Sequence, residues 1–134
     1  LGIVLNKIFG VLKAFVSQGG ISRLEVEAEE FVFFVLLLED CTSLKNYLNK
    51  DICIGFKESN VVVASRIEGV SNTFEAKILS FENDHLFMRL SLECKAAENG
   101  DIKVLSSYEC GKNLIRSEKV FWHILESEIM VLAR

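Results

Sequence analysis

The sequence predicts a mainly β protein arranged as two small units in tandem. Three features carry that reading. Short segments rich in Val, Ile and Phe alternate apolar and polar residues with period two. Clusters of turn-forming residues separate these segments, spaced about eight to twelve residues apart as in barrels and sandwiches. A sparse set of residues also recurs at a spacing of 66 to 68 positions. Period-two alternation turns one face of a chain toward a core and the other toward water, which is the geometry of a half-buried strand.

The opening is the one segment where periodicity leaves two readings. Leu1, Val4, Leu5, Ile8, Leu12 and Phe15 fit helical spacing as well as a strand. Gln18-Gly19-Gly20 then signals a turn. Glu25, Glu27, Glu29 and Glu30 partly alternate with Val26 and Ala28, as on the wet face of a strand. Phe31 to Leu38 is the longest apolar run and has the length of a buried strand. Exposed as a bare edge it would invite aggregation, so it is expected to be central or covered. Asp40 to Leu48 reads as a short helix, and Glu58-Ser59-Asn60 as a turn before Val61-Val62-Val63.

In the second half, Phe74, Ala76 and Ile78 alternate with Thr73, Glu75 and Lys77. Leu86, Met88, Leu90 and Leu92 alternate with Phe87, Arg89, Ser91 and Glu93. Val120, Trp122 and Ile124 alternate with Phe121 and His123. Turn signals fall at Glu82-Asn83-Asp84, Glu98-Asn99-Gly100-Asp101 and Gly111-Lys112-Asn113, while Tyr108 to Ile115 reads as a second short helix.

The recurrences tie the halves together. Asn6 and Asn72 are 66 apart, each in an apolar opening strand. Lys45-Asn46 and Lys112-Asn113 are 67 apart, and Glu58-Ser59 and Glu126-Ser127 are 68 apart. A slow drift of this kind is expected when a duplicated unit changes only in its loops. The division expected is residues 1–65 and 66–134. Units of about 65 residues lie near the lower limit for an independent core. They should lean on each other or on another copy, so a homo-oligomer, dimer or trimer, is expected.

Composition narrows the function. A net charge of −4 supplies no basic field for nucleic acid. Cys41, Cys53, Cys94 and Cys110 are widely spaced and read as buried or half-buried reduced thiols, not as a metal site or disulfide framework. No stretch reaches the roughly 18 apolar residues that a membrane span requires, and Lys7 and Lys13 interrupt the apolar start. A soluble, cytoplasmic protein without membrane insertion is expected. Gly19-Gly20 is not followed by Lys-Ser/Thr, so no phosphate loop is present, and no Asp/Asn loop has calcium-binding spacing. Neither His85, in a polar turn, nor His123, beside Trp122, has nucleophile or carboxylate partners at recognisable spacing. No enzyme and no catalytic residue is expected.

The chain resembles the TOBE/Mop family of small OB-like β-barrels, which occur in tandem in molbindins. Family units open with Ser-Ala-Arg-Asn-x-Leu-x-Gly. Here the openings are Ile3-Val4-Leu5-Asn6-Lys7-Ile8-Phe9-Gly10 and Gly69-Val70-Ser71-Asn72-Thr73-Phe74-Glu75-Ala76. Asn is kept twice and Gly once, but Ser and Arg are gone from both. The closing pattern Ile-Lys-Ala-Ser-x-Val becomes Phe56-Lys57-Glu58-Ser59-Asn60-Val61 and Ile124-Leu125-Glu126-Ser127-Glu128-Ile129, keeping Ser twice and Lys once. Where the family places a Thr/Ser pair before its short helix, Leu37 and Asp40 fall in the first unit and Ser106 and Ser107 near it in the second.

The resemblance implies two tandem five-stranded OB-like barrels, each with one short helix. It also implies molybdate or tungstate as ligand, bound at barrel or subunit interfaces, with no covalent cofactor and no direct protein–metal ligand. A tetrahedral oxyanion accepts on every face, so it requires donors from several directions and one or two positive charges. On that basis Lys57 and Ser59 of one unit would meet Ser71, Ser106 or Ser107 of another, and Ser127 would serve the second closing motif. Each has a structural reading beside the ligand one: Lys57 as a solvated turn lysine, Ser59 and Ser127 as turn-holding hydroxyls. Asn6 and Asn72 read as structural. Glu58 and Glu126 stand where the family often has Ala and would oppose an anion if they point inward. The expected function is intracellular oxyanion binding for storage, homeostasis or sensing. The rival is a ligand-free interaction module, or an effector domain of a molybdate transporter or regulator, associating with the transporter.

Overall fold

In the computed structural model, which describes residues 4–133, the opening segment is a strand. Leu1 and Ile3 lie outside the described residues. This strand, β1 (Leu5–Gln18), buries Asn6, Ile8 and Leu12. Its first half pairs with β4 (Asp51–Lys57) and its second with β2 (Ile21–Ala28), the register shifting at Lys13. Its backbone groups find their partners in these two neighbouring strands. Gly19 and Gly20 both have positive φ, 61° and 79°, so the β1–β2 hairpin closes in two residues that suit a primed turn.

The rest is short strands. β3 (Phe31–Leu37) follows β2, and β5 (Val62–Ala64) ends the first half. The second half contains β6 (Thr73–Ala76), β7 (Ile78–Asp84), β8 (Phe87–Glu93), β9 (Asp101–Ser107), helix α1 (Tyr108–Leu114), β10 (Val120–His123) and β11 (Met130–Ala133). The protein is mainly β. Among the described residues, no helix is long and apolar enough to cross a membrane.

Three antiparallel sheets result, in the orders β11-β4-β1-β2-β3, β5-β10-β6 and β7-β8-β9. The closing strands are exchanged between the halves. β5 pairs with β10 through Val63 opposite Trp122, and β11 pairs with β4 through Met130 opposite Gly55. One hydrophobic cluster runs through both halves. At its centre, Trp122 and Phe74 of the second half pack on Phe33 and Phe56 of the first, with ring centroids 4.8–6.1 Å apart.

The recurrent asparagines join the halves reciprocally. Asn6 Nδ2 donates to the Lys103 carbonyl at 2.9 Å, and its Oδ1 accepts the Lys103 N–H at 2.8 Å. Asn72 does the same to Phe34, at 2.8 and 2.7 Å. Each side chain therefore pairs with one residue of an edge strand, β9 or β3, as a neighbouring strand would. That is how the apolar run 31–38 is managed: Phe33 and Val35 face the core, and the edge is partly covered by Asn72 and the turn at 126–128. Leu38, beyond the strand, is exposed.

Several local expectations need correction. Glu82-Asn83-Asp84 is strand, not turn; these residues pair with Arg89, Met88 and Phe87, and the chain reverses at His85-Leu86 with His85 at φ 47°. β7 is an exposed sheet edge, where polar residues cost little. Gly111-Lys112-Asn113 lies inside α1, whose N-terminus is capped by Ser107 Oγ accepting from the Cys110 N–H. Cys41 offers no such cap, and the expected helix at 40–48 contracts to a 3-10 turn, Thr42–Tyr47. Glu29 and Glu30 are not strand but the β2–β3 turn, with Glu29 at φ 54°. Cys53 and Cys94 are buried and Cys41 is half-buried, but Cys110 is exposed on α1; among the described residues the four cysteines form no disulfide.

Candidate functional site

Of the serines and lysine singled out from the sequence, Lys57, Ser59 and Ser127 lie at the two closing turns and Ser71 bonds to the second of these turns. Lys57 ends β4 with an exposed side chain, and Ser59 is exposed in the 3-10 turn Glu58–Asn60. That turn packs against β9, the strand that carries Ser106 and Ser107. Ser106 is buried and its hydroxyl donates to the Ser107 carbonyl at 3.1 Å, while Ser107 Oγ caps α1. Ser127 is exposed in the 3-10 turn Glu126–Glu128, which packs against β3. Ser71 is drawn to this second turn: its hydroxyl donates to Glu126 Oε2 at 2.8 Å.

Two arginines complete the arrangement. Arg23 on β2 reaches over the ring of Phe34, 4.3 Å from its centroid, and holds Glu126 through two parallel bonds. Nε donates to Oε1 at 2.8 Å and Nη2 to Oε2 at 3.0 Å. Arg89 on β8 holds Glu58 in the same manner, with both bonds at 2.8 Å. The arginines are 66 residues apart and the glutamates 68, the spacing of the other recurrences. Each arginine lies in one half and its glutamate in the other, so the pairs cross reciprocally.

These arginines were not singled out from the sequence. Lone arginines in alternating strands read as wet-face residues, and nothing local marks their partners. The shared offset of 66 was the signal available.

The two pairs differ in setting. The Glu58 side chain is 2% exposed and also accepts a 3.4 Å bond from the Val4 N–H. Glu126 is 21% exposed and Arg23 50%. The hydrogen bond from Arg23, helped by the one from Ser71, holds the Glu126 carboxyl below the usual range against the opposing effect of burial. Ser71 is itself anchored. His123 Nδ1 donates to its carbonyl at 2.8 Å, and Thr73 Oγ1 donates to the Val70 carbonyl at 3.0 Å. In the first half the position 66 before Ser71 is Leu5, so no hydroxyl joins Glu58 there.

Two hollows elsewhere on the surface suit an anion less well than these donors. The one over Phe9, Val11 and Ile52 is rimmed by Glu27, Glu29 and Asp51, charges that repel a dianion. Its counterpart in the second half places Lys77, Lys95 and Lys119 beside Glu30, Glu75 and Glu93, and Lys119 lies 3.8 Å from Glu75. Among the described residues no group of three His, Cys, Asp or Glu is placed to hold a metal ion. The arrangement at Arg23 and Ser71 is a donor set for an oxygen anion, with a carboxylate now in it.

No family model matches the sequence, and no curated protein matches it significantly. A comparison of folds does find a counterpart. A solved structure of the cytoplasmic molybdate-binding protein ModG, with molybdate bound, aligns with a TM-score of 0.80 at 11% identity, covering 96% of this chain and 96% of that one. At that identity the likeness establishes a shared fold.

Proposed function

We propose that the protein binds a tetrahedral oxyanion, molybdate or tungstate, and is not an enzyme. The observation that carries this reading is the convergence of the Arg23 guanidinium and the Ser71 hydroxyl on one oxygen-anion position beside the Ser127 turn. A planar fork and a hydroxyl from separate segments match an acceptor that requires donors from several directions. Sharing a fold with a protein that binds molybdate supports the choice of anion.

In this reading the chain is a tandem of two barrel units, residues 1–65 and 66–134, supported by the common element order and the reciprocal Asn and Arg–Glu contacts. Lys57, Ser59, Ser106 and Ser107 are the donors proposed at the other turn, to be completed by a second copy in a homo-oligomer. The protein would serve storage, homeostasis or sensing in the cytoplasm.

Calorimetric titration with molybdate, tungstate and sulfate tests the proposal. Heat with the first two and little with sulfate is the expected result. Silence with all three, in the assembled protein, overturns it. A second reading is a ligand-free interaction module serving a molybdate transporter or regulator. It is favoured by one observation: both arginines already have carboxylate partners. Silence with every oxyanion would leave that reading in place.

A further inference from the structure

The Glu126 carboxylate stands where an external anion would stand. Its two oxygens take three donors, Arg23 Nε, Arg23 Nη2 and Ser71 Oγ, at 2.8, 3.0 and 2.8 Å. The Arg23 guanidinium and the Ser71 backbone are held by contacts that do not involve Glu126. Arg23 lies over the Phe34 ring, and the carbonyl of Ser71 accepts from His123. Withdrawing the carboxylate therefore leaves the guanidinium over its ring and the backbone that carries the hydroxyl in place, and donors kept in position are what an oxyanion site requires.

We propose that Glu126 is a tethered competitor: it fills the Arg23–Ser71 donor set when the site is empty and swings out to admit the oxyanion. The affinity for molybdate is then set by the difference between the two occupants. This inference rests on the oxyanion reading of the same site. Glu126 opens a three-residue surface turn, and its half-exposed arginine partner leaves solvent on that side for the displaced carboxylate. A monoanion gains little over the resident carboxylate. A dianion brings twice the charge and further oxygens for Ser127 or a neighbouring copy, so exchange favours it.

The equivalent pair in the other half shows what a fixed carboxylate looks like. Glu58 is almost wholly buried, takes a third donor from the Val4 backbone, and has Leu5 where Ser71 would be. Leaving Arg89 would strand a buried charge. Exchange is therefore assigned to Glu126 alone.

The test is calorimetric titration of molybdate into the wild-type protein, Glu126→Gln and the double variant Glu126→Gln/Arg23→Gln, at one pH and ionic strength. Removing the competing like charge should tighten binding by roughly tenfold or more, and the double variant should lose that gain. A wild type without detectable binding overturns the oxyanion reading and the competitor with it, whatever Glu126→Gln does. Wild-type binding that Glu126→Gln leaves equal or weaker overturns the competitor while the oxyanion reading stands. No binding by either protein overturns both. Should Glu126→Gln not fold, Glu126→Asp replaces it. Its shorter side chain cannot span Arg23 and Ser71 together, so a smaller gain is expected and an unchanged affinity is the overturning result.

Discussion

Glu58 and Glu126 recur 68 residues apart and each bonds to an arginine, but they carry different weight. Glu58 is buried with three donors, so Glu58→Gln leaves Arg89 only the exposed Glu82 at 3.8 Å as counter-charge and should cost about 2–3 kcal/mol. Glu126 is partly exposed and faces a half-exposed arginine, so Glu126→Gln should cost about 1 kcal/mol or less. Urea denaturation of the two variants checks the contrast, and equal losses would contradict it. Acid separates them further. The Arg23 hydrogen bond lowers the folded-state carboxyl of Glu126 below its unfolded value, so its contribution is complete above the ordinary glutamate range and is lost as pH falls through the lowered value. Wild-type stability should therefore decline more steeply than that of Glu126→Gln below about pH 4. The measurement is the urea midpoint against pH. Parallel curves would show that the pair contributes nothing to acid sensitivity.

Among the elements, β1 is the most constrained. It passes from β4 to β2 at Val11, which pairs with both Asp51 and Glu27, and Gly10 sits just before that crossing and the Lys13 bulge just after it. A Cβ at Gly10 would lie 2.7 Å from the Glu27 carbonyl and 2.9 Å from Val26 Cγ1. The first of these is backbone and cannot rotate away. Gly10→Ala should therefore destabilise by about 1–3 kcal/mol, read from the thermal or urea transition. A neutral outcome would mean that β1 and β2 part more easily than their register implies. The second half has Ala76 at the equivalent position, where the strand is interrupted at Lys77 and splits into β6 and β7. The bulge has its counterpart too, since the register of β7 shifts at Leu79, 66 residues after Lys13.

For the whole molecule, the exchanged closing strands matter most. β5 is a strand of the second half's sheet, and β11 completes the five-stranded sheet of the first. The aromatic core is likewise shared between Phe33, Phe56, Phe74 and Trp122. A fragment 1–65 lacks the partner for β5 and the cover for β4, and 66–134 has the converse defect. Each fragment alone should lack a cooperative thermal transition by circular dichroism, and mixing the two should restore one. A sharp transition in either fragment alone would show that one half carries its own core. The intact chain should unfold in a single step, because no boundary divides its hydrophobic cluster.

Much was legible in the linear pattern because its causes are local. Period-two alternation put Met88, Leu90 and Leu92 inside, and Val120, Trp122 and Ile124 likewise. Adjacent glycines made the first hairpin. Ser107 before Tyr108 made a real helix where Cys41 before Thr42 did not. The recurrence of Asn6 and Asn72 marked a shared structural task, though not which strand each would cap.

What lay beyond the pattern was partnership. Whether β1 was helix or strand depended on two neighbours, β2 across a hairpin and β4, whose paired residues (Val11↔Asp51 to Leu5↔Lys57) are far along the chain. That Arg23 would meet Glu126, 103 residues distant, depended on the fold bringing a turn of one half over a strand of the other. Alternation and turns follow from the chain's own stereochemistry. The pairing of charges depends on which surfaces are brought together, and that is a property of the packed halves.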